Sequence, residues 1–231
     1  MDKINNDKTV FVARGLVYQE MGNHQKAIFD FNQAIKFDDS LSDGYYYRGL
    51  SKTKLKQYKT AVIDFEEAKN KERLQMEENA NLLPNAGISD GLGRCFHAIG
   101  NYERAIDDFL LAIENAGNAF EKKEFLLHKA HCEFDNGFFD KSIEDLQKGL
   151  ETYQSDPELL YYLGLSYYAT NENYKEALNT FKMSLTNMPK EDAGVQFSLS
   201  YTPDIYYHIG LAYCRVEKFE KSIYPFTKVS N

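Results

Sequence analysis

The stretch RGLVYQEMGNHQKAIFDFNQAI, residues 14–35, decides how this chain folds. Gly15, Tyr18, Gly22, Ala27, Phe31 and Ala34 stand at intervals that neither one amphipathic helix nor one strand requires. Moving 34 residues along, the marks return as Gly49, Ala61, Phe65 and Ala68. Farther on they return as Gly93, Phe96, Gly100, Ala105, Phe109 and Ala112. Gly164, Tyr167, Ala177 and Phe181 repeat them with one extra residue in the middle, and Gly210, Tyr213, Ser222 and Phe226 repeat them again. A degenerate copy carries Ala130, Ser142, Leu146 and Gly149. The pattern gives six copies, at 8–41, 42–75, 86–119, 123–156, 157–191 and 203–231, with insertions near 76–85 and 192–202.

Each copy reads as two helices that reverse in the middle. Small residues set the distance at which the helices cross, and aromatics fill the space beside the contact. The reversals read MGNH, IGNY, DNGF, NENY and VEKF, mostly with Gly or Asn where a helix must stop. The second copy departs from this with LKQY. Asp156-Pro157 and Thr202-Pro203 each place a capping side chain before a proline, predicting a helix start at Pro157 and at Pro203. Pro225 falls inside a predicted helix and should kink or shorten it. Gly87, Gly91 and Gly93 crowd the first helix of the third copy, which predicts a frayed or late-starting helix there.

This spacing resembles the tetratricopeptide repeat family, whose unit is a helix-turn-helix of 34 residues. The resemblance covers nearly the whole chain. It implies an all-α protein, a single right-handed α-solenoid of six helix pairs over residues 1–231. The first helices of the pairs would line a concave groove that holds a peptide or helix of a partner protein. The family's groove positions fall here on Tyr46, Tyr47, His97, His128, His131, Phe134, Tyr161, Tyr162, Tyr168, Tyr207 and His208, with Lys54, Arg94 and Arg215 supplying positive charge. Of these, together with Leu165, the expected partner-binding set is Tyr46, Tyr47, Arg94, His128, His131, Tyr161, Tyr162, Leu165, Tyr168, Tyr207, His208 and Arg215. The rows Tyr161, Leu165 and Tyr168 lie opposite the packing residues Gly164 and Tyr167, so packing alone does not demand them. Tyrosine and arginine are also the residues that most often anchor interfaces.

The resemblance also offers a co-chaperone reading, in which lysines, asparagines and an arginine clamp an acidic tail. Here the clamp positions of the first three copies hold Val12, Leu16, Tyr47, Gly87 and Gly91, which cannot grip a carboxylate. An aliphatic or mildly basic partner segment is the better expectation. An enzyme or a ciliary or organelle assembly for which this chain is a targeting module is a further alternative.

Composition narrows the partners. With 231 residues, 43% hydrophobic and 27% charged, the chain is expected to bury a sizeable core. A net charge of -8 argues against nucleic acid, which needs clustered Lys and Arg to neutralise its phosphates. No apolar run is long enough to span a bilayer, and MDKINNDKTV does not read as a signal peptide, so membrane insertion is not expected and a cytoplasmic location is. Cys95, Cys132 and Cys214 form no metal or disulfide pattern, and Cys95 and Cys132 share the place of Val17, Ser51, Ser166 and Ala212, a small packing position. The sequence contains no phosphate loop, no GxSxG elbow and no HExxH, so no catalytic residue, cofactor or metal is expected.

Two further expectations concern irregular places. VQFSLSY alternates, with Val195, Phe197, Leu199 and Tyr201 apolar, which is a strand period or an apolar-sided loop. The last predicted helix carries Ile223, Phe226 and Val229 without a polar capping helix after it. A chain that continues beyond Asn231 as part of a longer protein is expected from this, with self-association through that edge as the alternative.

Overall fold

The computed structural model describes residues 3–188 and 198–229, and among these it contains twelve α-helices and no strand. They pack as two compact units, residues 1–125 and 126–231, divided at a place the repeat pattern does not mark. The first unit holds α1 (Lys3–Glu20), α2 (His24–Phe37), α3 (Ser42–Lys54), α4 (Tyr58–Glu78), α5 (Ala86–Ala98), α6 (Tyr102–Asn115) and the start of α7 (Ala119–Asp135). The second holds the remainder of α7, then α8 (Phe139–Thr152), α9 (Pro157–Ala169), α10 (Tyr174–Asn187), α11 (Ser198–Arg215) and α12 (Phe219–Val229). Within each unit, consecutive helices pack as antiparallel pairs that stack, the second helix of one pair on the first helix of the next. The first helices of neighbouring pairs also touch, α1 with α3, α3 with α5, and α9 with α11. The protein is an all-α solenoid of helix pairs.

What fixes five of the six pairs is a glycine against a phenyl ring. A Cβ added to Gly15 would stand 2.6 Å from the Phe31 ring, and the same addition at Gly93 or Gly164 would stand 2.6 Å from Phe109 or Phe181. Phe31, Phe65, Phe109 and Phe181 are completely buried, and burying such a ring stabilises by roughly 1.5–3 kcal/mol. In the fourth pair the small residue is Ala130 and the ring is replaced by Leu146, both buried. The extra methyl group on one side accompanies a smaller side chain on the other. The fifth pair has one more residue between its glycine and its phenylalanine than the other pairs, yet the approach is the same 2.6 Å as in the third.

The glycine-rich α5 does not start late, contrary to that part of the expectation from its helix propensity. It begins at Ala86, with the Asn85 side chain accepting the Gly87 N–H. Gly93 receives Phe109, and a Cβ on Gly91 would stand 2.5 Å from Phe65 of the preceding pair. The rings packed on both sides offset the propensity cost of about 1 kcal/mol per glycine.

A polar pair accompanies the glycine contact. Arg14, next to Gly15, donates from Nε and Nη2 to both carboxylate oxygens of Asp30, next to Phe31, each at 2.7 Å. Arg48 repeats this fork on Asp64 at 3.0 and 2.6 Å, and Lys52 adds a third contact at 2.7 Å. The carboxylates are buried, and bidentate guanidinium contacts are what compensate a buried charge. The third pair has Leu92 in place of the arginine, so Asp108 keeps a buried Oδ2 without a hydrogen bond, with Lys69 at 3.5 Å from Oδ1 and Arg104 also within electrostatic reach. Burial pushes its carboxyl above the usual range, with Lys69 opposing.

In the fourth pair Lys129 takes the arginine's place and bridges Glu133, at 2.5 Å, and Asp145. Burial pushes Lys129 down, but the two carboxylates outweigh it and hold the ammonium charged. Glu133 is 2% exposed and its Oε2 has no hydrogen-bond partner. Burial raises its carboxyl to about 7, with Lys129 opposing. The fifth and sixth pairs carry Leu163 with Thr180 and Ile209 with Pro225 at these places and dispense with the charge.

The turns inside the pairs share one device. Gly22 has φ 70°, and its N–H and that of Asn23 bond to the Gln19 and Tyr18 carbonyls, a Schellman closure. LKQY is no exception, because Lys56 takes φ 59° and closes the same two bonds, to Thr53 and Lys52. Asn171 and Glu217 are also left-handed.

Prolines divide. Asp156 accepts the Glu158 and Leu159 N–H groups, with Pro157 first in α9. Pro203 lies inside α11, which already begins at Ser198, so the helix start expected at Pro203 is corrected. Likewise Leu199 and Tyr201 belong to a helical backbone and not to a strand, whereas Val195 and Phe197 lie outside the described residues. Pro225 sits inside α12, which continues through it to Val229.

Two outcomes are expected. Lys56→Gly relieves a left-handed side chain and raises stability by about 0.5–1 kcal/mol in urea melts. Glu133, with its folded carboxyl raised from 4.5 to about 7, contributes stability that is full below pH 4.5 and lost as pH rises through 7. Glu133→Gln should therefore flatten the stability profile over that window, read as the difference between the two proteins' melting temperatures.

Candidate functional site

The expected partner-binding residues fall into the two units. In the second unit they lie on α9 and α11, the first helices of the fifth and sixth pairs. The face begins with Tyr161, which is only 6% exposed. Its ring packs 6.0 Å from Phe181 and edge-on to His208 at 5.8 Å. The expectation that packing does not need it is corrected, because a tyrosine three residues before Gly164 points into the junction of α10 and α11. Tyr161 belongs to the core and supports the surface residues above it.

Those surface residues differ in exposure. Tyr162, Leu165 and Tyr168 are half-buried against the core, and Tyr207 is 46% exposed. Tyr162 packs against Tyr161 and His131, each at 5.5 Å between ring centres. His131 also lies 3.7 Å from Asp135, one turn on, and His128 is half-buried on the same helix. Tyr207 stands edge-on to His208 at 5.4 Å and tilts towards Phe226 at 6.1 Å. His208 Nδ1 donates to the Asp204 carbonyl at 2.7 Å, which fixes the ring and leaves Nε2 as its acceptor nitrogen when neutral.

Arg215 ends the face. Its Nε donates to the Tyr168 hydroxyl at 3.3 Å and its guanidinium lies 5.7 Å from the Tyr174 ring centre. Tyr168 and Tyr174 are themselves edge-on at 5.3 Å. Tyr174 was not singled out by sequence because it begins a second helix, away from the groove positions. The aromatic cradle nevertheless pre-orients Arg215.

In the first unit Tyr46 and Tyr47 are neighbours on α3, their ring centres 5.1 Å apart. Tyr47 stacks on Phe31 at 5.9 Å and Tyr46 leans on Phe65 at 6.1 Å. Burial first, and then Asp90, push the Tyr46 hydroxyl up to about 12, so it is a neutral phenol at ordinary pH. Arg94, on α5, lies 3.6 Å from Asp90. Cys95 and Cys132 are completely buried, and burial raises both thiols, Cys132 to about 12. They pack as thiols, like Ser51, Ser166 and Ala212, while Val17 at the same position is 56% exposed.

Comparison with known proteins agrees with this architecture. Tetratricopeptide repeat family models match residues 9–40 and 129–192. The mouse (Mus musculus) tetratricopeptide repeat protein 12 is 27% identical over 84 residues, 35% of this chain and 12% of that protein, so the chain spans only a small part of that relative. Among solved structures, the C-terminal part of a TPR repeat-containing protein from Cytophaga hutchinsonii is similar, with a TM-score of 0.73 at 18% identity, over 94% of this chain and 78% of that one. YrrB, described as a TPR protein with an unusual peptide-binding site, is similar with a TM-score of 0.59 at 19% identity, over 78% of this chain and 86% of that one. The chain thus carries tetratricopeptide repeats at residues 9–40 and 129–192, a kind of repeat whose general role is that of a protein–protein interaction scaffold. No helix among the described residues is long and apolar enough to cross a membrane.

Core and surface tyrosines separate by mutation. Tyr161→Ala opens a cavity beside Phe181 and should cost about 3–5 kcal/mol, whereas Tyr207→Ala should cost under about 1 kcal/mol. Chemical denaturation followed by circular dichroism reads both.

Proposed function

We propose that the chain is a non-catalytic scaffold that holds a peptide or helical segment of a partner protein on the aromatic face formed by α9 and α11. The observation that carries this reading is the exposure of Tyr207 on the helix that ends in a pre-oriented Arg215, with Tyr162, Leu165, Tyr168 and His208 completing the face. Tyrosine and arginine bury large areas at modest entropic cost and dominate binding energy where they occur together. The bound segment is aliphatic or mildly basic, because the clamp positions on α7, α9 and α11 hold Leu127, His131, Tyr162, Asp204 and His208, which form no clamp for an acidic tail. His128 and His131 extend the face along α7.

Selection of a displayed random peptide library on the wild-type protein tests this. Selected peptides should lose about tenfold or more in affinity to Tyr207→Ala, as expected for an interface anchor, with the melting temperature nearly unchanged. Affinities left intact in both Tyr207→Ala and Arg215→Ala would move the site elsewhere.

A further inference from the structure

The first unit contains a cavity of about 390 Å³ between α3, α5 and the start of α7, closed on one side by the segment that links α4 to α5. That is within the size range of sites that enclose small groups, roughly 300–1,000 Å³. One wall is the Tyr46 ring, whose hydroxyl lies where Gly87 has no side chain: a Cβ there would stand 2.4 Å from it. Leu50, Leu83 and Phe125 make the other apolar walls. Leu83 is 87% exposed, on the linking segment.

The polar lining is unbalanced. Asp90, Glu121 and Glu124 face the space with Arg94 as the one cation among its lining residues. Arg94 is already engaged by Asp90, whose side chain is nine-tenths buried. Glu121 is fixed in place by accepting the Gly117 N–H at 3.0 Å. The charge acting on Tyr46 is consistent with this excess: after burial, Asp90 and Glu121 push its hydroxyl up and Arg94 only partly opposes them.

We propose that this cavity receives a basic side chain, arginine or lysine, of a partner segment. The aliphatic stem lies along Leu50, Leu83 and the Tyr46 ring, and the cationic head meets the carboxylates of Glu121 and Glu124. An acidic side chain would meet net repulsion, and a purely aliphatic one would leave the excess negative charge of Glu121 and Glu124 unbalanced. The inference rests on the reading of the chain as a peptide-binding scaffold and adds the chemistry of one bound side chain, in a different unit from the tyrosine face.

The test uses N-acetyl-arginine methylamide and its neutral isostere N-acetyl-citrulline methylamide, titrated into the whole chain and followed by amide chemical shifts. The arginine probe should shift Gly87, Asp90 and Gly117 and bind about fivefold or more tightly than citrulline, a difference that added salt reduces. Glu124→Gln, an exposed substitution that leaves the remaining spectrum in place, should weaken arginine and not citrulline. Equal affinities for the two probes, or shifts that avoid these three amides, would overturn the proposal. Either result would leave the α9–α11 face standing, because that face is read by library peptides and Tyr207→Ala; loss of the face would in turn leave the arginine titration intact.

Discussion

Five of the six pairs depend on one contact, a backbone that comes within reach of an aromatic ring, which is buried in four of them and half-buried, as Phe226, in the sixth pair. Side chains elsewhere can vary so long as the first helix presents no Cβ to the phenylalanine of the second. The added Cβ would sit 2.5–2.6 Å from the ring across Gly15, Gly93, Gly164 and Gly210, closer than carbon atoms pack, and 3.0 Å across Gly49, where the ring would have to give slightly. Substituting alanine at one of these glycines is thus a steric change and not only a change of propensity. The fourth pair shows the accompanying change, alanine with leucine, on the same two positions.

The buried charges are a second layer, used unevenly. Arg14 with Asp30 and Arg48 with Asp64 are fully forked, Asp108 is left half-served, and Lys129 is shared between two carboxylates. The last two pairs manage with apolar residues or a threonine. The charges are therefore not what makes a pair form. Their contribution is orientation: a planar guanidinium meets a carboxylate in few geometries, while leucine against threonine accepts many. The pairs that carry the exposed tyrosine face are the ones without this constraint.

The fold was legible because steric demands repeat. Glycine, alanine and phenylalanine at a fixed spacing mark helix crossings whatever lies between them. The irregular parts were less so. Propensity misjudged α5, because single-helix preferences ignore the rings that Gly91 and Gly93 receive from two different pairs. Alternation misjudged residues 198–201, where a short run of apolar and polar residues fits a helix end as well as a strand. At the candidate site, position along the helix picked out Tyr162, Tyr168, Tyr207 and Arg215 but not depth: Tyr161 shares their spacing and is buried. Tyr174, which holds Arg215, and Leu83 and Phe125, which wall the cavity, stand on other elements, and no spacing rule within one helix could have found them.

The fifth pair carries one residue more in its turn than its neighbours and loses nothing in the approach of Gly164 to Phe181. Its helices are held in register by the contact between them and not by the length of the chain that joins them. The turn within a pair is accordingly a tolerant point of the architecture, where added residues would project away from the stacked layers. Loops grafted at such a turn could carry tags, labels or new recognition sequences while the helix pairs go on stacking as before.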